Sequence, residues 1–308
     1  MSSAVNGLPA GVTVLERGWL SSNTIVLCGA EEAAVVDSGY CTHSELTLAL
    51  VARAVGDLPL SMLANTHLHS DHCGGNAALR ARYPMLRTMI PPGLADAVRA
   101  WDAAALSYEP TGQQCPRFDY DDLLRPGSAV QLGGQAWQVH AAPGHDPHSV
   151  ILFEPASRTL ISADALWQNG FGVVFPELEG EHAFDEVSAT LDLIESLAPR
   201  VVIPGHGSLF SDVTEALGRA RSRLAAYLRE PRRHAAHAAK VLLKFKLLEL
   251  QTARLDDFAA WAESTAYFRL VHERWFAAQP RQEWLFALIG ELVRAGAANC
   301  DTEFIMNA

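Results

Sequence analysis

Between Asn65 and Asn76 the chain reads NTHLHSDHCGGN, placing three histidines and an aspartate in six consecutive positions, His67 to His72. Neutral imidazole is the commonest protein ligand for borderline divalent metals, and carboxylates complete such sites. His67, His69 and Asp71 alternate by two, and His72 follows Asp71 directly. On an extended loop, alternation sends side chains to one side, while a turn brings the next residue round to another. One short loop can therefore serve two metal positions. Two ions need about four ligands each, water included, so other parts of the chain must contribute.

Three further turns offer donors. AAPGHDPHS (141–149) supplies His145, LISADAL (160–166) supplies Asp164, and VVIPGHG (201–207) supplies His206. Each donor ends a strand-like run, in a turn rich in small residues where backbone can approach an ion. In open mixed sheets, ligand sites gather at such strand ends. The bland alternative, a polar loop with incidental histidines, would have to produce all four motifs in one chain.

The HxHxDH run at 67–72, followed by His145, Asp164 and His206 in that order and spacing, resembles the metallo-β-lactamase superfamily. THLHSDHCGGN with PGHG near 205 is most similar to its glyoxalase II and lactonase/thioesterase branch, and the resemblance covers roughly residues 10–210. It implies an α/β (α+β) fold, the four-layer αββα sandwich of two mixed sheets with helices outside. It also implies a first metal on His67, His69 and His145, a second on Asp71, His72 and His206, and Asp164 bridging them. Zinc is the first expectation, with iron and manganese compatible with nitrogen and oxygen ligands. One departure stands out. Relatives often read PGHTxGH where this chain reads PGHDPHS, so His148 lies three residues after the ligand, and no role is assigned to it.

Two such ions would draw the pKa of a bridging water from 15.7 toward about 7, making hydroxide the nucleophile. Asp71, beside the second ion, would orient it. The expected reaction is hydrolysis of an ester, thioester or lactone. A serine or cysteine nucleophile is not needed: no G-x-S-x-G elbow occurs, and Cys73 reads as a packing residue. A nuclease of the same superfamily, a persulfide-oxidising iron enzyme and a regulatory protein retaining the site are the rivals.

The elements that must position these donors are legible in outline. β-branched runs at 12–18, 23–29 and 33–39 predict meandering strands, a helical spacing covers 44–55, and a buried strand at 60–66 leads into the histidine loop. Further strands are expected at 128–132, 136–141, 149–154, 159–163 and 200–203, with a helix at 185–197. After about residue 212 the composition becomes rich in Ala, Leu and Arg, which predicts a catalytic domain over 1–212 and a C-terminal helical domain over 213–308 packed onto it.

Two features bear on substrate. LWQNGFGVVFPELEG (166–180) carries Trp167, Phe171 and Phe175, which either wall the metals or belong to the core. Residues 217–246 hold nine Arg and Lys against the single acid Glu230. These are either a solvated or acid-paired face, or a source of cations for an anionic substrate handle, with Arg232 and Arg233 the candidates. His234 and His237 have no further donors nearby and read as surface histidines.

The net charge of −11 argues against a nucleic-acid coat or an anionic-membrane binder. No run of about 18 apolar residues suggests a membrane span. The N-terminal stretch lacks the basic start and apolar run of a leader, and the five cysteines form no CxxC pair, so a reducing cytoplasm is expected. The expected partner is a small ester or thioester, and homo-oligomerisation is left open.

Overall fold

The computed structural model describes residues 7–308. Residues 1–6, where the reading of the N-terminus for a leader begins, lie outside the described residues.

Six strands form the first sheet in sequence order: β1 (Val12–Leu15), β2 (Thr24–Cys28), β3 (Ala33–Val36), β4 (Leu60–Ala64), β5 (Arg87–Ile90) and β6 (Asp122–Leu123). The first three pair antiparallel, and β3 to β6 run parallel. The second sheet comprises β7 (Ala129–Leu132), β8 (Gln135–Ala141), β9 (Val150–Glu154), β10 (Thr159–Ala163) and β11 (Val201–Pro204). Its order is β11-β10-β9-β8-β7, with only the β10/β11 pair parallel.

Side-chain alternation sorts these strands into layers, because successive residues of a strand face opposite sides. Ile25, Leu27 and Val36 of the first sheet meet Trp137, Val139, Leu152 and Ile203 of the second in one buried cluster. Their neighbours Val26, Val35 and Leu63 turn outward onto helices Ser44–Val55 and Asn76–Arg82 through Val51, Val55 and Leu79. On the other side, Ile151, Phe153, Leu160 and Val202 pack under helices Ala183–Leu197 and Val213–Arg229. The result is the four-layer αββα sandwich expected.

Helix Val213–Arg229 thus shares a core with the second sheet, through Ala216, Leu217, Ala220 and Leu224. A further cluster spans Ala235 to Ile305 and takes in Val173 and Leu178 from the segment after β10, the latter in the short helix Phe175–Glu179. It is built mainly by helices Pro231–Leu250, Leu255–Ser264 and Arg281–Arg294. The C-terminal region is not wholly helical: β12 (Thr252–Arg254), β13 (Ala298–Cys300) and β14 (Phe304–Asn307) make a small antiparallel sheet. Among the described residues no helix is long and apolar enough to cross a membrane.

Strands β3, β4, β8, β10 and β11 all deliver their C-terminal ends to one edge of the sandwich, where backbone hydrogen bonds tie the two sheets together. Val150 N donates to Thr66 O at 2.9 Å, and Asn23 N donates to Gly205 O at 2.6 Å. That stitched edge carries the histidines.

Candidate metal centre

His67 and His69 leave β4 on an extended loop, and the short helix Ser70–Cys73 then turns Asp71 and His72 inward. His145 follows β8, Asp164 caps β10, and His206 follows β11. The structure brings all seven expected donors together. His67, His69 and His145 form one trio, Asp71, His72 and His206 a second, and His67, His72 and Asp164 a third. Within each trio the ligand atoms lie within 4.8 Å of one another. Asp164 reaches both sides, with Oδ1 at 3.5 Å from His72 Nε2 and Oδ2 at 3.4 Å from His145 Nε2.

Three observations fit these residues to metal ions. First, His67 Nε2 and His72 Nε2 are buried ring nitrogens with no hydrogen-bond partner among the described residues. Such groups are rare and costly unless something coordinates them. Second, the ring nitrogens His69 Nδ1 and His145 Nε2 converge to 2.8 Å. Third, glycines clear the space: a Cβ on Gly205 would collide with Asp164 Oδ1, and one on Gly172 would stand 2.5 Å from His145 Nδ1.

The tautomers are set from behind. His145 Nδ1 donates to Val173 O at 2.5 Å, and His72 Nδ1 donates to Asp37 Oδ2 at 2.8 Å, so each Nε2 keeps its lone pair for the centre. Asp37, just past β3, is fully buried and also accepts from Thr66 N at 2.9 Å and Thr66 Oγ1 at 2.8 Å. Thr66 Oγ1 in turn lies 3.2 Å from His67 Nδ1. One carboxylate therefore orients ligands of both sides. Asp37 (φ 57°) and Ala163 (φ 46°) are both left-handed, a conformation costing a non-glycine residue about 1–2 kcal/mol and found where a site demands it.

Protonation matches the same purpose. Burial holds His67 well below the ordinary imidazole value, reinforced by His72, His69 and His145. Burial likewise lowers His69 and His145 to about 4. Neutral rings are what a metal requires. Burial works against charge on Asp71 and Asp164 too. Even so, His72 and His206 hold Asp71 low, and His206 and His72 hold Asp164 well below the carboxylate range. His72 goes the other way: burial opposes its charge, yet Asp37, Asp164 and Asp71 raise it well above the usual value. The carboxylates call for positive charge at this place.

A cavity of about 640 Å³ opens over the centre. Trp167 and Phe175, two of the three aromatics singled out in the sequence, border it. Trp167 Nε1 donates to Asp164 Oδ1 at 3.2 Å and its ring lies 5.6 Å from His206, while the Phe175 ring lies 5.3 Å from His69. Phe171 does not border it. The chain after Trp167 folds back tightly, with Trp167 N donating to Gly170 O, and Phe171 is turned into the core against Tyr227.

Arg232 and Arg233 are also outside the cavity lining. They sit exposed in the first turn of helix Pro231–Leu250, with the Arg232 guanidinium over the Phe276 ring at 4.6 Å. The same helix reaches the cavity further along, through His237, Val241 and Phe245, and the preceding helix does so through Arg223. His234 is no surface residue: it is buried, and its Nε2 accepts from Val174 N at 3.1 Å. His148 lies exposed at the cavity rim against Gly93. Cys73 is buried behind the loop, 3.2 Å from the Tyr108 hydroxyl. Sequence reading missed Trp19, whose ring stacks on His206 at 5.4 Å, together with Asp37, Arg223 and Tyr267.

Residues 17–206 match the family described as the metallo-beta-lactamase superfamily. A hydroxyacylglutathione hydrolase of Anaeromyxobacter dehalogenans is 31% identical over 220 residues, covering 70% of this chain and 73% of that protein. One from Synechococcus sp. is 30% identical over 60% of this chain and 63% of its own length. Other hydroxyacylglutathione hydrolases match over about half their length or less. Among solved structures, a beta-lactamase domain protein from Burkholderia ambifaria superposes with a TM-score of 0.59 at 24% identity, over 88% of this chain and 92% of that one. A metallo-beta-lactamase family protein from Thermus thermophilus gives 0.58 at 18% identity, over 97% and 99%, and shares the fold. The chain belongs to the metallo-β-lactamase superfamily.

Proposed function

We propose that this protein is a metal-dependent hydrolase of carboxylic thioesters or esters. The observation that carries the reading is the buried cluster of seven donors at the floor of the cavity, with His67, His69 and His145 held neutral and the ring nitrogens His67 Nε2 and His72 Nε2 unpartnered among the described residues. The relatives named hydroxyacylglutathione hydrolase support the thioester class. His67, His69 and His145 would hold one divalent ion, Asp71, His72 and His206 a second, and Asp164 would touch both. Bound there, the ions would supply Lewis acidity toward the substrate carbonyl and a nucleophile drawn from water at neutral pH.

The rest falls to the chain. Of the two carboxylates in the set, Asp71 is the more open, at 14% side-chain exposure against 6% for Asp164. It is placed to accept a hydrogen bond from the attacking water and to aim it at the carbonyl carbon. Asp37 and the Val173 carbonyl keep His72 and His145 in the productive tautomer. Trp19, Trp167 and Phe175 wall the donors from bulk water, which strengthens every electrostatic interaction inside. Leu106, Val241 and Phe245 offer an apolar berth for an acyl or thiol chain.

The nuclease alternative loses its main support, because much of the basic run is neutralised within the fold. Arg219 pairs with Asp212, Arg221 with Asp192 and Glu195, Lys240 with Glu291, and Lys246 with Glu249, each at 2.8–3.0 Å.

The test is turnover of a panel of acyl thioesters and esters by zinc-, iron- or manganese-loaded protein, beside EDTA-stripped protein and an Asp71→Asn variant. Hydrolysis by a loaded form, lost on stripping and reduced at least about hundredfold in the variant, is expected. Inertness of every loaded form would end the reading.

A further inference from the structure

Helix Val213–Arg229 carries cations on several faces, and two of them, Arg219 and Arg221, have acidic partners. Arg223 differs. Among the described residues no carboxylate lies within ion-pair distance of its guanidinium, and its one hydrogen bond is a long 3.5 Å approach of an NH group to Phe171 O. The guanidinium lies flat against Gly170, where a Cβ would come within 2.6 Å of it, so the glycine makes room for the cation. It lines the cavity.

His237, on the next helix, lines the same wall and makes no hydrogen bond among the described residues. Burial first, and Arg223 second, lower it to about 4, so at neutral pH it is an uncharged ring with one N–H to donate. Asn169, at the turn between Trp167 and Gly170, adds an exposed amide to this wall. Besides Asp71 and Asp164, the acids lining the cavity are Asp146, whose Oδ2 lies 3.8 Å from His69 Nε2, Glu179 and Glu181. Asp146 accepts from His148 N, and Glu179 accepts from the Tyr267 hydroxyl. None of the three is paired with Arg223.

We propose that Arg223, with His237 beside it, forms an anion-binding subsite that selects substrates bearing a carboxylate. This rests on the hydrolase reading above. A guanidinium presents N–H donors in a planar fork that matches a carboxylate, and a neutral imidazole N–H beside it adds a donor without a competing charge. The turn Trp167–Gly170 sets the distance. Its first residue touches Asp164 and its last supports Arg223, so a substrate whose carbonyl sits over the metal donors extends its charged end across that turn. Whether the carboxylate belongs to the acyl part or to the thiol part, the chemistry of recognition is the same.

Three thioesters separate these sources: an acetyl N-acetylcysteamine thioester with no carboxylate, a succinyl N-acetylcysteamine thioester with one on the acyl side, and acetyl-glutathione with carboxylates on the thiol side. Loaded wild-type protein should favour one of the charged pair over the neutral substrate. Arg223→Ala should raise KM for that substrate about ten- to hundredfold, the size of a lost charge-assisted hydrogen bond, with kcat held and the neutral substrate changed less than twofold. Arg223→Lys should recover part of the loss, and matching melting curves exclude a folding defect. Equal effects on charged and neutral thioesters, or no effect on either, would overturn the proposal. If no thioester is turned over, the hydrolase reading fails separately. Calorimetric binding of succinate and glutathione to wild type and Arg223→Ala then decides the subsite: weaker binding by the variant supports it, and equal binding refutes it.

Discussion

Asp37 is the residue whose replacement should reveal most about how the centre is held. Its carboxylate is 1% exposed and accepts three hydrogen bonds: Thr66 N and Thr66 Oγ1, and His72 Nδ1–H. In Asp37→Asn the shape is kept and Oδ1 still accepts from Thr66 N. The new Nδ2 now points two hydrogens at Thr66 Oγ1 and His72 Nδ1. His72 can satisfy it only by offering the Nδ1 lone pair, which moves its proton to Nε2 and aims an N–H at the metal position. Losing a charge-assisted buried bond costs about 1.5–3 kcal/mol. Losing an outer partner of a metal-bound histidine costs about 10–100-fold in metal affinity.

The assay pairs a zinc competition titration against a chromophoric chelator with thermal melting of the EDTA-treated protein. Asp37→Asn should weaken the ion on the His72 side about 10–100-fold and lower the apoprotein melting point by roughly 3–12 °C, at about 2–4 °C per kcal/mol for a large domain. Asp37→Ala should be worse on both counts, because Thr66 N–H and His72 Nδ1–H lose their acceptor altogether. An asparagine variant with unchanged zinc affinity and an unchanged melting point would refute the claim that Asp37 sets the His72 tautomer.

Metal-free protein should be less stable at pH 5 than at pH 7.5. His69, His145 and His237 fall to about 4 and His234 to about 3, while the unfolded chain titrates near 6.5, so unfolding takes up protons throughout the window from 6.5 to 4. His69 and His145 each forfeit roughly 3 kcal/mol across it. His72, raised above its unfolded value, offsets part of this: its contribution is full below about 6.5 and is lost only as pH climbs through the raised value. Urea unfolding of EDTA-treated protein at the two pH values tests the sign, and equal or greater stability at pH 5 would contradict it. Gly205→Ala should cost at least tenfold in zinc affinity, since its Cβ would displace Asp164 Oδ1, and metal content after desalting reads this out. Cys73, its thiol pushed well up by burial and by Cys115, should resist iodoacetamide in the native state while the partly exposed Cys115 is labelled. Peptide mapping that finds Cys73 alkylated first would count against its packing role.

What the sequence disclosed follows the range of the interactions involved. The seven donors were legible because each ends an apolar run at a turn of small residues, a signal contained within a few positions. Strands β1 to β4 and β7 to β11 were legible for the same reason, as short runs of β-branched and apolar residues. β5 and β6 are four and two residues long and owe their existence to parallel pairing with a sheet already formed, and the closing β12–β14 sheet is equally short. Asp37 looks like any polar residue ending a strand; its meaning comes from His72, 35 positions on. Phe171 and Phe175 are indistinguishable by composition, and a four-residue turn decides that one faces the core and the other the donors. Charge is the hardest case. Nine cations in thirty residues point to Arg232 and Arg233 no more than to any other, because what matters is which acids the fold brings to each. Asp192 and Glu195 reach Arg221, and Glu291 reaches Lys240, from segments far away in the chain. Among the described residues Arg229, Arg232 and Arg233 also lack an acid partner, but of the nine Arg223 is the one that lines the cavity. The search for a substrate anion therefore belongs at that side chain, and the KM of the Arg223→Ala variant for a carboxylate-bearing thioester is the measurement that bears on it most directly.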